Sequence, residues 1–299
     1  MHSTRFTQAI QEYGTPLVSN INGFTNALPD QFFEASGFGS NTAILSVAAY
    51  ENSTYQKIDT FIRSARKFQI PLKWLSFREQ WKGFTYHKIQ QFLRQASYLQ
   101  AQGITHTFIL DSADIVFTDN FPTIIQKALD IYKPGTVLFN RELDNHIYPY
   151  QNAEYKSWIL AEGKHLNAGA LFGSISAIKE LFIRVIEIQR ELMADQPRQG
   201  VAEYCMRDPM FYGQLHQWIN DDQLLLQLAS LYYPNLIETD DKRYLFAWTQ
   251  EHDEPLAKMR EYGNVSGKPN NASILHSSVT VKYAGVAYWA KWCKENNLI

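Results

Sequence analysis

Short apolar runs alternate with amphipathic segments from Thr42 onward, and this alternation restricts the folds open to the chain. The run TAILSVAAY, which starts at Thr42, has the length of a buried strand, and the turn and capping residues Asn-Ser-Thr follow it. Apolar residues then recur at helical spacing up to Phe68, and Pro71 separates this helix from a second run, LKWLSF. The pattern predicts a β-α-β unit.

The same order of strand and helix continues along the chain. A second amphipathic helix is predicted from Tyr86 to Leu99, with Gly103 as its stop signal, and ITHTFIL is the next buried run. A third helix is predicted to begin at Pro122, which suits a first helical turn, and the strand TVLFN follows it. Strands that alternate with helices favour an α/β fold, so we predict a Rossmann-like, mostly parallel sheet with helices on both faces.

The second half of the chain has fewer clear elements. HLNAGALFGS is predicted as a loop or strand of small residues, and Ser176 is predicted to cap the helix behind it. The apolar face of that helix consists of Ile178, Leu181, Phe182, Val185 and Ile186. DDQLLLQLASLYY is a predicted helix with a favourable acidic start, SILHSS is a predicted strand, and an aromatic-rich helix follows. Residues 1–40 are predicted to be an irregular lead-in, and residues 41–299 a single domain.

Charge and cysteine content exclude several classes of protein. Lys and Arg number 28 against 30 Asp and Glu, so the net charge of −2 gives no reason to expect a nucleic-acid partner. Cys205 and Cys293 are the two cysteines, which excludes a disulfide framework and a zinc ribbon. No run approaches the ~18 apolar residues of a membrane span, and the start MHSTRFTQAIQEYG lacks a signal-peptide core. We therefore expect a cytoplasmic protein without a membrane span.

The segment FILDSADIVF is the most informative for chemistry. A buried strand ends at Asp111, and a second carboxylate, Asp114, follows three residues later. Ligands of open α/β sheets bind beyond the carboxyl ends of the strands, where two carboxylates can hold Mg²⁺ or Mn²⁺ bridging a diphosphate. An ordinary turn containing Asp residues has the same spacing, so the interpretation needs further features.

Further segments, in order along the chain, supply those features. They are Trp81 to Lys88, Glu142 in FNRELD, HLNAGALFG, NDDQLLLQ and ILHSSVTVK. The layout resembles the type A glycosyltransferase (GT-A) domain of the procollagen lysyl hydroxylases. In that family a D-x-x-D, an L-N-S-G-G-like segment, a D-D-Q segment and a late H-G-x-G-x-x-K follow an early strand. The resemblance covers roughly residues 42–288.

The resemblance implies a metal site and a donor site. It implies that Asp111, Asp114 and His276 bind Mn²⁺, or Mg²⁺, which in turn holds the two phosphates of a UDP-sugar. Lys88 and Lys282 match family lysines and could each neutralise a phosphate, with a solvated surface lysine as the alternative for either. His87, His146, His165 and His252 compete for the metal role. We favour His276 because it ends a predicted strand.

The segment Asn167, Ala168 and Gly169 matches the family residues beside the sugar donor. Small residues permit close approach of the backbone, and an Asn side chain offers both a donor and an acceptor. A tight packing turn would have the same composition.

Three carboxylates are the candidate catalytic residues. Asp221 and Asp222 match the acidic pair that lies near the transferred sugar in the family, and a capped helix N-terminus is the structural alternative. Glu142 is predicted to face donor or acceptor at the end of a strand, and a solvated loop residue is its alternative.

The chain departs from the family at four places. The glycine-rich loop before the family lysine is shortened to GFTYHK, and the late motif reads HSSV instead of H-G-x-G. Ala113 replaces the Tyr that stacks on uracil within the family's D-x-x-D, so specificity for UDP is inferred from the resemblance alone. Residues 190–218 are an insertion relative to the family. Its aromatic residues are candidates for a sugar-stacking or lid surface, or for simple packing: Tyr204, Phe211, Tyr212 and Trp218.

The resulting hypothesis is a metal-dependent transferase. It would move a hexose from UDP-glucose or UDP-galactose to a hydroxyl of a saccharide or glycosylated acceptor, and the resemblance favours retention of configuration. A nucleotidyltransferase also binds a metal and a nucleotide, but the glycine-rich basic loop typical after its first strand is missing. A non-catalytic carbohydrate- or nucleotide-binding module on the same fold is the other alternative, although all three metal ligands are present.

Overall fold

The chain folds as a mixed α/β domain built on a central sheet. The computed structural model describes residues 41–49, 55–77, 85–141, 163–194, 221–248, 272–276 and 286–299. The strands in these ranges are β1 (Thr42–Ala49), β2 (Leu72–Phe77), β3 (His106–Leu110), β4 (Ile115–Phe117), β5 (Val137–Arg141), β6 (Leu166–Ser174), β7 (Ile237–Thr239), β8 (Phe246–Trp248) and β9 (Ile274–His276). The α-helices are α1 (Tyr55–Lys67), α2 (Gln91–Ala101), α3 (Phe121–Ile131), α4 (Ile175–Met193), α5 (Asp222–Tyr232) and α6 (Val286–Glu295).

Six strands form the central sheet in the order β2-β1-β3-β6-β5-β7. β2, β1 and β3 are mutually parallel, and β5 is parallel to β7. β6 is antiparallel to both of its neighbours, β3 and β5. The predicted mostly parallel sheet is therefore confirmed, with the segment HLNAGALFGS forming its reversed central strand. Because β6 is reversed, its first residues lie at the edge of the sheet where β3 and β5 end.

A second sheet of three strands carries one side of the candidate site. Its order is β4-β9-β8, with β9 antiparallel to β4 and parallel to β8. The four residues Asp111 to Asp114 separate the end of β3 from the start of β4, so this D-S-A-D segment links the two sheets. The register pairs Ile115 with His276, which places the end of β9 beside the start of β4.

Helices cover both faces of the central sheet, as predicted. On one face, α2, α4 and α5 bury residues such as Phe92, Leu181 and Leu225 against Phe139. On the other face, α1 and α3 enclose a cluster that includes Phe61, Ile124, Phe108 and Phe172. The rings of Phe108 and Phe172 lie 4.5 Å apart at its centre. No helix within the described ranges is long and apolar enough to span a bilayer.

Helix α4 begins and ends at different places from those predicted. Its N-cap is Ser174, whose hydroxyl accepts a hydrogen bond from the Ala177 amide, rather than Ser176. The strand runs directly into the helix, so the last strand residue takes the capping conformation. The helix also continues to Met193, because Ile188 and Leu192 extend its buried face. Residues 190–193 of the predicted insertion therefore belong to α4.

Other predictions concern residues outside the described ranges. They are the lead-in 1–40, Glu142, Lys282 and the aromatic residues of the insertion between 195 and 218.

Candidate active site

Three predicted metal ligands converge although they come from distant parts of the chain. Asp111 follows β3, Asp114 precedes β4 and His276 ends β9. One potential ligand atom from each residue lies within 4.8 Å of those of the other two. The Nε2 atom of His276 is 3.3 Å from Oδ2 of Asp114, a proximity that follows from the pairing of Ile115 with His276. Such a convergence is the geometry that a single bound cation requires.

The chemistry of these side chains fits a divalent cation. Two carboxylates and one imidazole suit Mn²⁺, and carboxylate oxygens suit Mg²⁺. His276 is buried, and Oδ1 of Asp114 is buried without a hydrogen-bond partner in the structure as described. A buried carboxylate oxygen without a donor costs free energy, and coordination of a cation would remove that cost.

Gly169 lies directly against His276 and Asp111. A Cβ atom at this position would lie 2.6 Å from Nε2 of His276 and 2.9 Å from Oδ2 of Asp111, and closer still to Cε1 of His276. The carbonyl of Gly169 accepts a hydrogen bond of 2.8 Å from the Asp111 amide, and its own amide donates to Oδ1 of Asn167 over 2.9 Å. The Asn-Ala-Gly segment therefore holds the backbone of Asp111 and lies directly against His276, two of the candidate metal ligands.

A β-bulge shapes the same segment. The register between β5 and β6 shifts at Phe139/Asn140, so that Asn140 pairs with Asn167 and the following residues of β6 have no partner on β5. The side chain of Gln223 provides the hydrogen-bond partner that Ala168 of β6 does not have on β5. Its Oε1 accepts from the Ala168 amide over 2.9 Å, and its Nε2 donates to the carbonyl of Leu166.

Gln223 was not among the predicted site residues. The D-D-Q match included it, but no role was assigned to it. The signal available in the sequence was a glutamine directly before the leucines at the start of α5. In the structure, Gln223 is buried together with those leucines. A buried amide in such a position requires hydrogen-bond partners, which here are backbone groups of the bulge.

Lys88 lies inside the site rather than on the surface. Its ammonium forms ion pairs with Oδ1 of Asp111 and with Oδ2 of Asp222, the latter at 3.1 Å. The side chain is only 5% exposed. Burial alone would lower the pKa of Lys88, but the carboxylates of Asp111 and Asp222 raise it above its ordinary value, so the ammonium stays charged. The alternative of a solvated surface lysine is wrong for this residue.

Lys88 is held by a π-helical turn that the sequence did not predict. Thr85–Gln90 forms this turn and α2 continues from it. The apolar spacing indicated an ordinary α-helix from Tyr86. His87, Lys88 and Ile89 are all buried in this turn. Such turns occur frequently at functional sites.

The two neighbouring aspartates of α5 have different roles. Asp221 is the N-cap of the helix, and its Oδ1 accepts from the Leu224 amide over 3.0 Å, as the structural alternative predicted. Asp222 instead directs Oδ2 to Lys88, and its Oδ1 accepts from the Gln223 amide. Asp111, Asp114 and His276 are called the metal cluster below. Within the described part of the chain, Asp222 is the candidate catalytic carboxylate that is connected to this cluster, through Lys88 and Asp111.

Two carboxylates of the site have raised pKa values. Burial raises the pKa of Asp111 to about 6, an effect that Lys88 opposes and Asp114 reinforces. Burial, followed by the charge of Asp222, raises the pKa of Asp221 to about 7. Ionisation of Asp221 in the folded protein therefore costs free energy relative to the unfolded chain.

The Asp221→Asn variant should be more stable than the wild type at pH 8 but not at pH 4. The folded-state pKa of about 7 exceeds the ordinary value of 3.8, so the wild type loses stability as the pH rises through this window. Asn keeps the capping oxygen without the charge, which predicts a gain of roughly 1–4 kcal/mol at pH 8. Urea unfolding at both pH values measures the difference. Asp130→Asn, at an exposed position of α3, should show no such pH-dependent gain, and an equal gain there would contradict the assignment.

Two of the four histidines that competed with His276 for the metal role lie in the described ranges. His87 is buried in the π-helical turn, and His165 precedes β6. Neither joins Asp111, Asp114 and His276 in the cluster of potential ligands that the described residues form. The other two competing histidines, His146 and His252, lie outside the described ranges.

Comparison with known proteins found one matching family model and a solved structure of low similarity. The family model described as the PLOD GT domain matches residues 39–196, more than half of the chain, including Lys88, Asp111, Asp114 and the Asn167 segment. Among solved structures, the chain is similar to a glycosyltransferase involved in the glycosylation of the major capsid of PBCV-1. That similarity has 12% identity and a TM-score of 0.43, and it covers 84% of this chain and 98% of that one. None of the curated proteins matches the chain. The family match confirms the predicted resemblance, and the chain belongs to the PLOD GT domain family of GT-A glycosyltransferases, the glycosyltransferase domains of the procollagen lysyl hydroxylases.

Proposed function

We propose that this protein is a divalent-metal-dependent glycosyltransferase that moves a hexose from a UDP-sugar to a hydroxyl group of an acceptor. The observation that carries the proposal is the convergence of Asp111, Asp114 and His276 at the edge of the sheet where β3 ends. This edge is where α/β folds of this kind bind nucleotides. The family membership supports transfer of a sugar as the reaction.

The site residues have separate tasks in this proposal. Asp111, Asp114 and His276 would hold Mn²⁺ or Mg²⁺, which supplies the positive charge that stabilises a departing diphosphate. The carbonyl of Gly169 accepts a hydrogen bond from the Asp111 amide, and the side chain of Asn167 in turn accepts one from the Gly169 amide. The absence of a side chain at Gly169 also leaves the space between Asp111 and His276 open.

Asp222 is our candidate for contact with the transferred sugar. Its side chain is 27% exposed and bound to Lys88, whereas Asp221 is occupied in capping α5. Lys88 orients Asp222 through this ion pair. Glu142 and Lys282 stay predictions for the donor or acceptor side.

The donor and acceptor follow from the family. UDP-glucose and UDP-galactose are the proposed donors, and a hydroxyl of a saccharide or glycosylated molecule is the proposed acceptor. Because Ala113 occupies the position of the family's uracil-stacking Tyr, recognition of the base must depend on other contacts.

Nucleotide release from a panel of nucleotide sugars tests this function. With Mn²⁺ present, we expect release of UDP from one hexose donor, and the Asp114→Asn variant should lose at least ~100-fold of that rate because a metal ligand is weakened. The same variant should lose Mn²⁺-dependent binding of UDP in calorimetry. Asp130→Asn serves as the matched control, since it removes a carboxylate on the exposed side of α3.

Three outcomes are informative. Release that depends on Asp114 and on Mn²⁺ establishes the transferase and identifies its donor. Binding of UDP without release indicates a non-catalytic module on the same fold. Wild-type UDP binding by Asp114→Asn in the presence of Mn²⁺ would show that the metal site is wrongly assigned.

A further inference from the structure

Lys88 occupies a position where a cation is needed whether or not a metal is bound. Its ammonium lies between Asp111 and Asp222, and Asp114 is close to Asp111 through the metal cluster. Three partly exposed carboxylates are thus linked through Lys88 and Asp111. Neighbouring carboxylates repel each other strongly unless a cation lies between them, so this group of three carboxylates requires a nearby positive charge.

The two oxygens of Asp111 face different neighbours. Oδ1 contacts Lys88, whereas Oδ2 lies on the side of Gly169, where an added Cβ would come within 2.9 Å of it and within 2.6 Å of Nε2 of His276. One carboxylate therefore connects the ammonium to the position proposed for the metal. A lysine that neutralises Asp111 reduces the negative charge that this carboxylate offers to a second cation.

We propose that Lys88 is an internal counter-cation that competes electrostatically with the divalent metal for Asp111. Without metal, the ammonium stabilises the site by pairing with both Asp111 and Asp222. When a metal binds Asp111, the interaction of Lys88 shifts towards Asp222. The metal alone consequently binds more weakly than the ligand set would allow. This inference rests on the metal site of the proposed function and adds a role for Lys88 that does not depend on sugar transfer.

Direct titration with Mn²⁺ alone tests the inference, using calorimetry or the electron paramagnetic resonance signal of the free ion. We expect Lys88→Met to bind Mn²⁺ at least ~10-fold more tightly than the wild type, because a positive charge next to Asp111 is removed. Lys88→Arg keeps the charge and should stay within ~3-fold of the wild type. Lys127→Met is the matched control. It breaks a partly buried ion pair of 3.2 Å with Asp119, away from the metal cluster, and should not alter Mn²⁺ affinity.

A second variant covers the case in which Lys88→Met does not fold without metal. Asp222→Asn removes the charge of one of the two carboxylates that pair with Lys88, so the ammonium should interact more strongly with Asp111 and Mn²⁺ binding should weaken by ~10-fold. The melting temperature gives an independent signal. Metal-free Lys88→Met should melt below the wild type, and saturating Mn²⁺ should raise its melting temperature by more than it raises that of the wild type.

The outcomes separate this inference from the proposed function. If wild type and Lys88→Met bind Mn²⁺ equally, or the variant binds it less tightly, the counter-cation role is overturned and the metal site stands. If neither protein binds Mn²⁺ while both are folded, the metal site fails and the inference fails with it. Tighter binding by Lys88→Met, together with weaker binding by Asp222→Asn, supports the inference.

Discussion

The Gly169→Ala variant should lose about 100-fold or more of its affinity for Mn²⁺ while it remains folded. The added methyl group would lie 2.6 Å from Nε2 of His276 and 2.9 Å from Oδ2 of Asp111, distances at which the two ligand side chains must move apart. The side chain of His276 is buried and that of Asp111 is short. Neither can adjust much without moving away from the position proposed for the metal. Calorimetric titration with Mn²⁺ measures the loss, and circular dichroism reports on the fold.

Gly173→Ala is the matched control on the same strand. Its added Cβ would lie 3.1 Å from the carbonyl oxygen of Thr136 and 3.3 Å from a side-chain carbon of Ile178, away from the metal ligands. We expect a moderate loss of stability, of about 1 kcal/mol, and unchanged affinity for Mn²⁺. Metal binding of wild-type strength in Gly169→Ala would show that the cluster does not bind the cation in the arrangement described.

The Gln223→Leu variant should be destabilised by about 3 kcal/mol. The substitution leaves the Ala168 amide and the Leu166 carbonyl without their side-chain partner at a buried bulge, and each such group costs ~1–3 kcal/mol. Urea unfolding measures the change. Because the bulge carries Gly169, affinity for Mn²⁺ should fall as well.

Gln227→Leu provides a contrast one helical turn further along α5. The Gln227 side chain is fully buried, and in the described structure neither its Oε1 nor its Nε2 has a hydrogen-bond partner. Replacing such an amide by an apolar side chain of similar size should leave stability unchanged or increase it. Equal destabilisation by the two substitutions would mean that the hydrogen bonds of Gln223 to the bulge have no special role.

Much of the fold could be predicted because its signals are local. The buried runs that begin at Thr42 and that end at Leu110 became β1 and β3, and the helical spacing between Tyr55 and Lys67 became α1. Pro122 lies in the first turn of α3, and Gly103 has a positive φ of 77° after α2, as their positions indicated. These features depend on the order of apolar residues, turn residues and caps within about fifteen positions.

The features that were missed depend on neighbours distant in sequence. Ser174 caps α4 because β6 continues directly into the helix, and Lys88 in the π-helical turn Thr85–Gln90 contacts two carboxylates from other elements. Local periodicity carries no information about such partners. The reversal of β6 was also missed, since its small residues were compatible with a loop.

The sequence by itself determined most of the strands and helices from β1 to β5 and where the carboxylates of the D-x-x-D segment lie relative to a strand, because hydrophobic periodicity and strand ends are local properties of the chain. Only the tertiary structure decided that Asp222 pairs with Lys88 while Asp221 caps a helix, and that Gln223 closes a bulge beneath Gly169. The physical reason is that adjacent acidic residues have the same local pattern. The roles of Asp221 and Asp222 differ because the packed sheet and helices place different groups beside each carboxylate.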